Sequence, residues 1–190
     1  MAALGAEGLD VPGIIPLGAG AALAIVGITD IPEPRQVDML EWLDGEAFGS
    51  LKTGLNKFIT DVGAAFVLVG HLAARMHNHA ENWLLPPGFI RHSWDVDGLL
   101  GEQPFWGRFW DLASLTPSQR ALLEKARSRA RQDLLAYGQS PNTYGLIHAG
   151  LLTDNMLLGR DRIKVLDFDD SGFGWHLFDL ERQVASWNRI

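Results

Sequence analysis

Between Tyr144 and Phe168 three short apolar runs follow one another: Tyr144 to His148 (YGLIH), Asn155 to Leu158 (NMLL) and Arg162 to Phe168 (RIKVLDF). The last two flank the tight turn Gly159-Arg160-Asp161, and strands joined by so short a turn must pair antiparallel. The spacing therefore predicts a loop followed by a hairpin with polar residues at its ends. Asn155 and Asp167 are twelve positions apart, yet a hairpin brings the start of one strand beside the end of the other and sets an amide oxygen and a carboxylate at one rim. Hard oxygen ligands so placed suit Mg²⁺, which keeps several waters and is held by one or two protein groups plus substrate phosphates. His148, just before the loop, is placed to orient it through its ring nitrogens. Each residue also has an ordinary structural role to fill: Asn at a strand start, Asp in a turn, His satisfied within a core.

Upstream, the charge-free stretch from Val11 to Thr29 invites a signal-peptide or membrane-span reading. Against it, no Lys or Arg occurs before Arg35, and Pro12, Pro16 and four glycines interrupt any helix. Two short strands fit better, one near Ile14 and one from Ala22 to Ile28, joined by a Gly18-Ala19-Gly20 turn. Those glycines also begin a G-x-G-x-x-G pattern, but its sixth position is Leu23, so a plain turn is the reading. Gln36 to Leu43 (QVDMLEWL) reads as a further strand ended by Asp44-Gly45.

From Leu55 the apolar residues recur at three and four through Phe58, Ile59, Val62, Phe66, Val69, Leu72, Ala73 and Met76, which predicts a long core helix ending before Pro86-Pro87. Gly88 to Leu115 carries no clear period and suggests irregular structure with short helical turns packed by Trp94, Trp106 and Trp110. Thr116-Pro117-Ser118-Gln119 combines a cap, a first-turn proline and a capping-box glutamine, so a helix should run from there to Ala136 and stop at Gly138. Its Arg120, Lys125, Arg127, Arg129 and Arg131 read as a solvated face rather than an anion patch.

With 190 residues, 47% of them hydrophobic, the chain can bury one sizeable core, and no stretch reads as a linker between independent domains. Its net charge of −7 gives no overall attraction to nucleic-acid phosphates or anionic lipid. Cysteine is absent, which excludes a disulfide framework, a thiol nucleophile and Cys-ligated metal sites, and fits a cytoplasmic location.

The stretch LIHAGLLTDNMLLGRDRIKVLDFDD resembles the catalytic loop and metal-binding strand of the kinase-like small-molecule phosphotransferases, the family of aminoglycoside phosphotransferases, choline kinases and homoserine kinases. Their pattern is H-x-D-x-x-x-x-N, a short hairpin, and a strand-end Asp corresponding to the D-F-G of protein kinases. His148, Asn155 and Asp167-Phe168-Asp169 fall in its register. Gly172 to Leu180 is also similar, with Asp179 matching an Asp that supports the catalytic loop from below. Met39 to Gly45 resembles the adenine-receiving hinge between the lobes, and Leu72 to His77 adds further agreement in the long helix.

The resemblance implies an α+β, protein-kinase-like fold, mostly the helical C-terminal lobe with a remnant of the N-lobe sheet. Residues 1–43 would be that remnant with its hinge strand and residues 44–190 the large lobe. It implies transfer of the ATP γ-phosphoryl group to a hydroxyl of a small molecule, with ATP and Mg²⁺ as cofactors. Asn155 and Asp167 would be metal ligands, Glu41, Trp42 and Leu43 the nucleotide hinge, and His148 a loop-supporting residue. Asp169 and Asp170 lie near the expected acceptor side, where they either attract a cationic acceptor or cap the next turn.

Two departures from the pattern stand out. Gly150 occupies the place of the family's catalytic Asp, and glycine can neither accept the acceptor's proton nor hold it in line. Asp154 lies at the far end of the loop, a poor position from which to substitute. The family's phosphate-anchoring Lys precedes the hinge, whereas here no Lys precedes Lys52. By this comparison the chain looks truncated at both ends, and the expectation is little or no phosphoryl transfer. Alternative readings are a non-catalytic nucleotide- or partner-binding module, or a degenerate fragment; an oligomer could form through surfaces that truncation exposes.

Overall fold

The structure, a computed structural model, describes residues 1–159 and 162–187, the last six of these as backbone. Arg160 and Asp161 of the expected turn lie outside the described residues. The chain opens with a short helix α1 (Ala2–Ala6), then forms a hairpin of β1 (Ala24–Val26) and β2 (Arg35–Val37) in which Ala24 faces Val37. The strand expected from Ala22 to Ile28 is present but shorter, whereas the one expected near Ile14 is reduced to a single bridge with Leu40, since Ala24–Val26 pairs with Arg35–Val37 instead. The stretch expected to run unbroken from Gln36 to Leu43 leaves β1 at Val37 and pairs again only where Ile14 bridges Leu40, because its partner changes and the ladder breaks between the two contacts. Gly18-Ala19-Gly20 forms the expected turn, closed by Leu17 N–H donating to the Ala21 carbonyl at 2.8 Å.

After Asp44-Gly45 come three two-residue strands, β3 (Glu46–Ala47), β4 (Gly49–Ser50) and β5 (Gly54–Leu55). The long helix α2 (Val62–Asn82) starts seven residues later than the periodicity suggests, at Asp61, whose carboxylate accepts the Ala64 N–H at 2.9 Å. Leu55 to Ile59 is not helical. There the Asn56 side chain accepts Phe58 N–H at 3.0 Å and donates to the Ala47 carbonyl at 2.7 Å, local bonds that compete with a helix. Ala65, Val69, Leu72, Ala73, Met76 and His77 form the buried stripe of α2.

Residues 88–115 are irregular as expected, containing β6 (Ser93–Trp94), α3 (Val96–Leu100) and a short 3-10 turn at Phe109–Asp111. Trp94 and Trp110 are buried, but Trp106 remains 64% exposed, since it stacks one ring face on Trp94 and turns the other to solvent. Helix α4 (Pro117–Tyr137) has the full capping box between Thr116 and Gln119 and ends at Gly138 with φ +74°. Its arginines pair with carboxylates: Arg127 with Glu102 at 2.8 Å, Arg131 with Asp97 at 3.0 Å, Arg129 with Asp133 at 2.8 Å, and Arg120 with Asp111.

The last third holds β7 (Tyr144–Ile147), β8 (Met156–Leu158), β9 (Ile163–Val165), β10 (Gly172–Trp175) and helix α5 (His176–Trp187). Two three-stranded sheets result, ordered β6-β10-β7 and β3-β8-β9, giving an α+β architecture. The core lies between the stripe of α2 and the β8–β9 hairpin, where Phe48, Leu151, Met156 and Val165 are fully buried. Each such side chain contributes roughly 1.5–3 kcal/mol of burial. Leu9 joins the same core, and Val165 N–H donates to the Asp10 carbonyl at 2.9 Å, so the N-terminal residues pack directly against β9. Among the described residues no helix is long and apolar enough to cross a membrane.

Candidate active site

Strand β7 delivers the chain to His148, and the following loop is fastened from beneath by Asp179 in the first turn of α5. Asp179 is fully buried. One carboxylate oxygen, Oδ1, accepts Ala149 N–H at 2.7 Å; the other, Oδ2, accepts His148 N–H at 3.1 Å and lies 2.9 Å from His77 Nε2. A carboxylate with three donors offsets the cost of its burial. The support expected of this residue is thus visible atom by atom. Ala149, fixed by Oδ1, sits at φ +61°, a left-handed conformation that a non-glycine residue keeps only when its surroundings impose it.

His148 has both ring nitrogens in use. Nδ1 accepts Gly150 N–H at 3.2 Å, so the proton lies on Nε2, which donates to the Leu166 carbonyl at 3.0 Å. Burial holds its pKa below the ordinary value of 6.5, against the opposing pull of Asp179, and the ring is neutral. Its ring also packs on Phe168 at 4.6 Å. The imidazole therefore ties the loop to the strand that carries Asp167.

The β8–β9 register sets Met156 opposite Val165, and Leu166 N–H donates to the Asn155 carbonyl at 2.9 Å. Asn155 and Asp167 consequently stand at one rim of the hairpin, as their spacing implies. The Asn155 amide Nδ2 donates to the Gly150 carbonyl at 2.9 Å, and its Oδ1 has no hydrogen-bond donor among the described residues. Asp167 is exposed and sits at φ +62°. Asp167 Oδ1 accepts the Asp169 N–H at 3.4 Å, and an amide oxygen and a carboxylate are the hard donor types that a divalent cation takes.

Gly150 lies within the loop, between His148 and Asn155. A Cβ placed on it would meet His148 Nδ1 at 3.4 Å and Asn155 Nδ2 at 3.5 Å, ordinary contact distances. Asp154 is engaged elsewhere: its Oδ1 accepts Leu51 N–H at 2.8 Å, tying the β4–β5 turn to the loop.

Glu41 N–H donates to the Gly13 carbonyl at 2.8 Å, while the backbones of Trp42 and Leu43 make no such bond among the described residues. Trp42 is 88% exposed. Asp169 and Asp170 are held by their carbonyls, which accept from Arg91 at 3.1 Å and from the Trp94 indole at 2.8 Å. Their carboxylates do not serve as caps of the following turn in these contacts.

Sequence reasoning gave His77 no role of its own. Its signal was its place in the buried stripe of α2, where a polar residue at i+4 from Ala73 needs a partner. That partner lies 102 positions away and could not be read from the chain.

The sequence matches the profile described as the phosphotransferase enzyme family over residues 1–189. Amicoumacin kinase of Bacillus subtilis (strain 168) is 26% identical over 116 residues, which are 60% of this chain and 32% of that protein. A microcompartment-associated aminopropanol kinase superposes with a TM-score of 0.81 at 34% identity, covering 96% of this chain and 55% of that one. The amicoumacin kinase hAmiN, in complex with AMP-PNP, Ca²⁺ and Ami, gives a TM-score of 0.75 at 20% identity, covering 97% and 50%. This chain thus spans about a third of its curated relative and about half of the similar solved structures. The α+β architecture is the kinase-like one of these proteins.

Proposed function

The chain belongs to the phosphotransferase enzyme family and is related to small-molecule kinases, and on that premise we propose that it carries the nucleotide and metal side of an ATP-dependent kinase site whose acceptor is a hydroxyl of a small molecule. Transfer by the chain as it stands is impaired. The observation that carries the reading is the Asn155–Gly150 bond, which fixes the amide so that its oxygen remains for a cation beside Asp167.

In this reading Asn155 and Asp167 hold Mg²⁺, and the backbones of Trp42 and Leu43, which have no backbone partner among the described residues, receive the adenine edge next to Glu41. Bound Mg²⁺ supplies charge neutralisation on the phosphate oxygens. His148 and Asp179 keep the loop in place. Gly150 offers no carboxylate to take the proton of the acceptor hydroxyl or to orient it, and Asp154, engaged with Leu51, does not replace it. Losing such a base costs about 10²- to 10⁴-fold in rate. The 34% identity with an aminopropanol kinase supports an amine-bearing alcohol as the first acceptor to test, with Asp169 and Asp170 nearest the acceptor side. Gly150 equally favours a second reading, a nucleotide-binding module without transfer. The exposed apolar residues Ile25, Val37 and Met39 around the β1–β2 ribbon support self-association, which sedimentation at rising concentration would detect.

Thermal unfolding with Mg·ATP, and with each component omitted, tests the binding site. A ligand at about 100 times its dissociation constant adds about 2.7 kcal/mol, which moves the midpoint of a chain this size by roughly 5–11 °C. A shift that requires both Mg²⁺ and ATP is expected. Cooperative unfolding with no shift would overturn the reading.

A further inference from the structure

We propose that His77 is a positioning residue for the metal rim: acting through Asp179, it holds the backbone of His148 to Gly150 and, through the Gly150 carbonyl, the side chain of Asn155. The inference rests on the reading of Asn155 and Asp167 as cation ligands.

Four contacts make the connection. His77 Nε2 lies 2.9 Å from Asp179 Oδ2. Asp179 in turn accepts the N–H groups of His148 and Ala149. Ala149 leads directly into Gly150, and the Gly150 carbonyl accepts Asn155 Nδ2 at 2.9 Å. The amide orientation at the rim is thus set four contacts from a helix that never reaches the rim itself.

His77 is suited to this by its own confinement. Its neighbours Ala73 and Met76 are anchored in the core, and its ring lies flat on His176 with centroids 4.3 Å apart and planes 9° off parallel. The ring cannot swing away from Asp179 without breaking that stack. Its contribution is specific to Oδ2, the oxygen that also receives His148 N–H. Without the imidazole, this fully buried carboxylate would keep only its two backbone donors among the described residues, and Oδ2 would lose one of its partners. The carboxylate would then be free to turn away from the His148 N–H, and the loop would lose one anchor. The left-handed Ala149 beside it would relax, since such a conformation persists only where several contacts enforce it.

The test is residue-resolved amide exchange on His77→Leu, His77→Asn and His77→Gln, together with Mn²⁺ titration followed by line broadening at Asn155 and Asp167. Leucine removes the donor, asparagine places its amide too short to reach Oδ2, and glutamine sets an N–H where Nε2 lies. Expected is exchange about tenfold faster at His148 and Ala149 in the leucine and asparagine variants, with the β10 amides unchanged and the glutamine variant near wild type. Mn²⁺ affinity should weaken in the same order. Unchanged exchange at His148 and Ala149 in both the leucine and asparagine variants would overturn the proposal. So would equal acceleration across α2, β7 and β10, the mark of a merely structural residue. Absence of Mn²⁺ binding in the wild-type chain would instead count against the metal-site reading, and the exchange pattern separates the two failures. If the leucine variant does not fold, the asparagine and glutamine pair decides.

Discussion

The side-chain amide of Asn155 donates to the carbonyl oxygen of Gly150 at 2.9 Å, so the proposed cation ligand is fixed by the residue that, by the sequence resemblance, stands in the place of a catalytic Asp. Gly150 has no positive φ, and a Cβ there would touch only His148 and Asn155 at ordinary distances.

Gly150→Asp should therefore fold with a stability close to that of the original chain. If the proposed cleft binds Mg·ATP and an acceptor, the substitution should raise ADP formation by about 10²- to 10⁴-fold. A coupled ADP assay with a set of small amino alcohols reads it. The same substitution combined with Asp154→Ala should keep the gain, because Asp154 serves Leu51 and not the acceptor. A gain that disappears with Asp154 would show that Asp154 shares in the chemistry.

Asp167 separates stability from binding. It is exposed and left-handed, so its side chain adds backbone strain without burying apolar surface. Asp167→Gly should stabilise the fold by about 0.5–1 kcal/mol in urea unfolding. The same variant should lose the Mg²⁺-dependent part of any ATP-induced thermal shift. A variant that is destabilised, or that keeps the Mg²⁺ dependence, would contradict one half or the other.

Asp179→Ala removes the acceptor of three donors at once and leaves His77, His148 N–H and Ala149 N–H without a partner. Each buried donor left unsatisfied costs about 1–3 kcal/mol, so the loss of all three reaches about 3 kcal/mol or more. Chemical unfolding at neutral pH should show a loss of this size, a large part of the stability of a domain like this. A loss below about 1 kcal/mol would mean that the loop has other means of support.

The histidines give a pH dependence of definite sign. Burial lowers the pKa of His148 and of His176, the latter also through the neighbouring His77, from the ordinary 6.5. Below that value the unfolded chain binds protons that the folded chain refuses, so stability is present above about pH 6.5 and is lost as pH falls through the lowered folded values. The urea midpoint should drop between pH 7.5 and pH 5. His148→Gln should flatten part of that slope, and an equal slope in the variant would assign the effect elsewhere.

Much of the local structure was legible in the chain. The capping box at Thr116 and Gln119, the stop at Gly138 and the apolar stripe from Val69 to Met76 are set by short-range hydrogen bonding and by the 3.6-residue period, and they appear where those rules place them. The start of α2 was misplaced because apolar spacing alone does not register that Asn56 bonds its own backbone neighbourhood. Trp106 was expected inside because an indole is large and apolar, yet packing against Trp94 covers only one of its faces.

The sequence by itself determined the β8–β9 hairpin, since a tight turn between two apolar runs leaves antiparallel pairing as its outcome and so brings Asn155 to Asp167. It also determined that Gly150 carries no proton acceptor, a matter of covalent chemistry alone. Only the tertiary structure decided which donors meet Asp179, which way the Asn155 amide is turned and that Asp154 belongs to Leu51. Those pairings join groups as far as 103 positions apart. Directional bonds of this kind exist only after the core has packed and set the two backbones within about 3 Å, a condition that no local run of residues encodes.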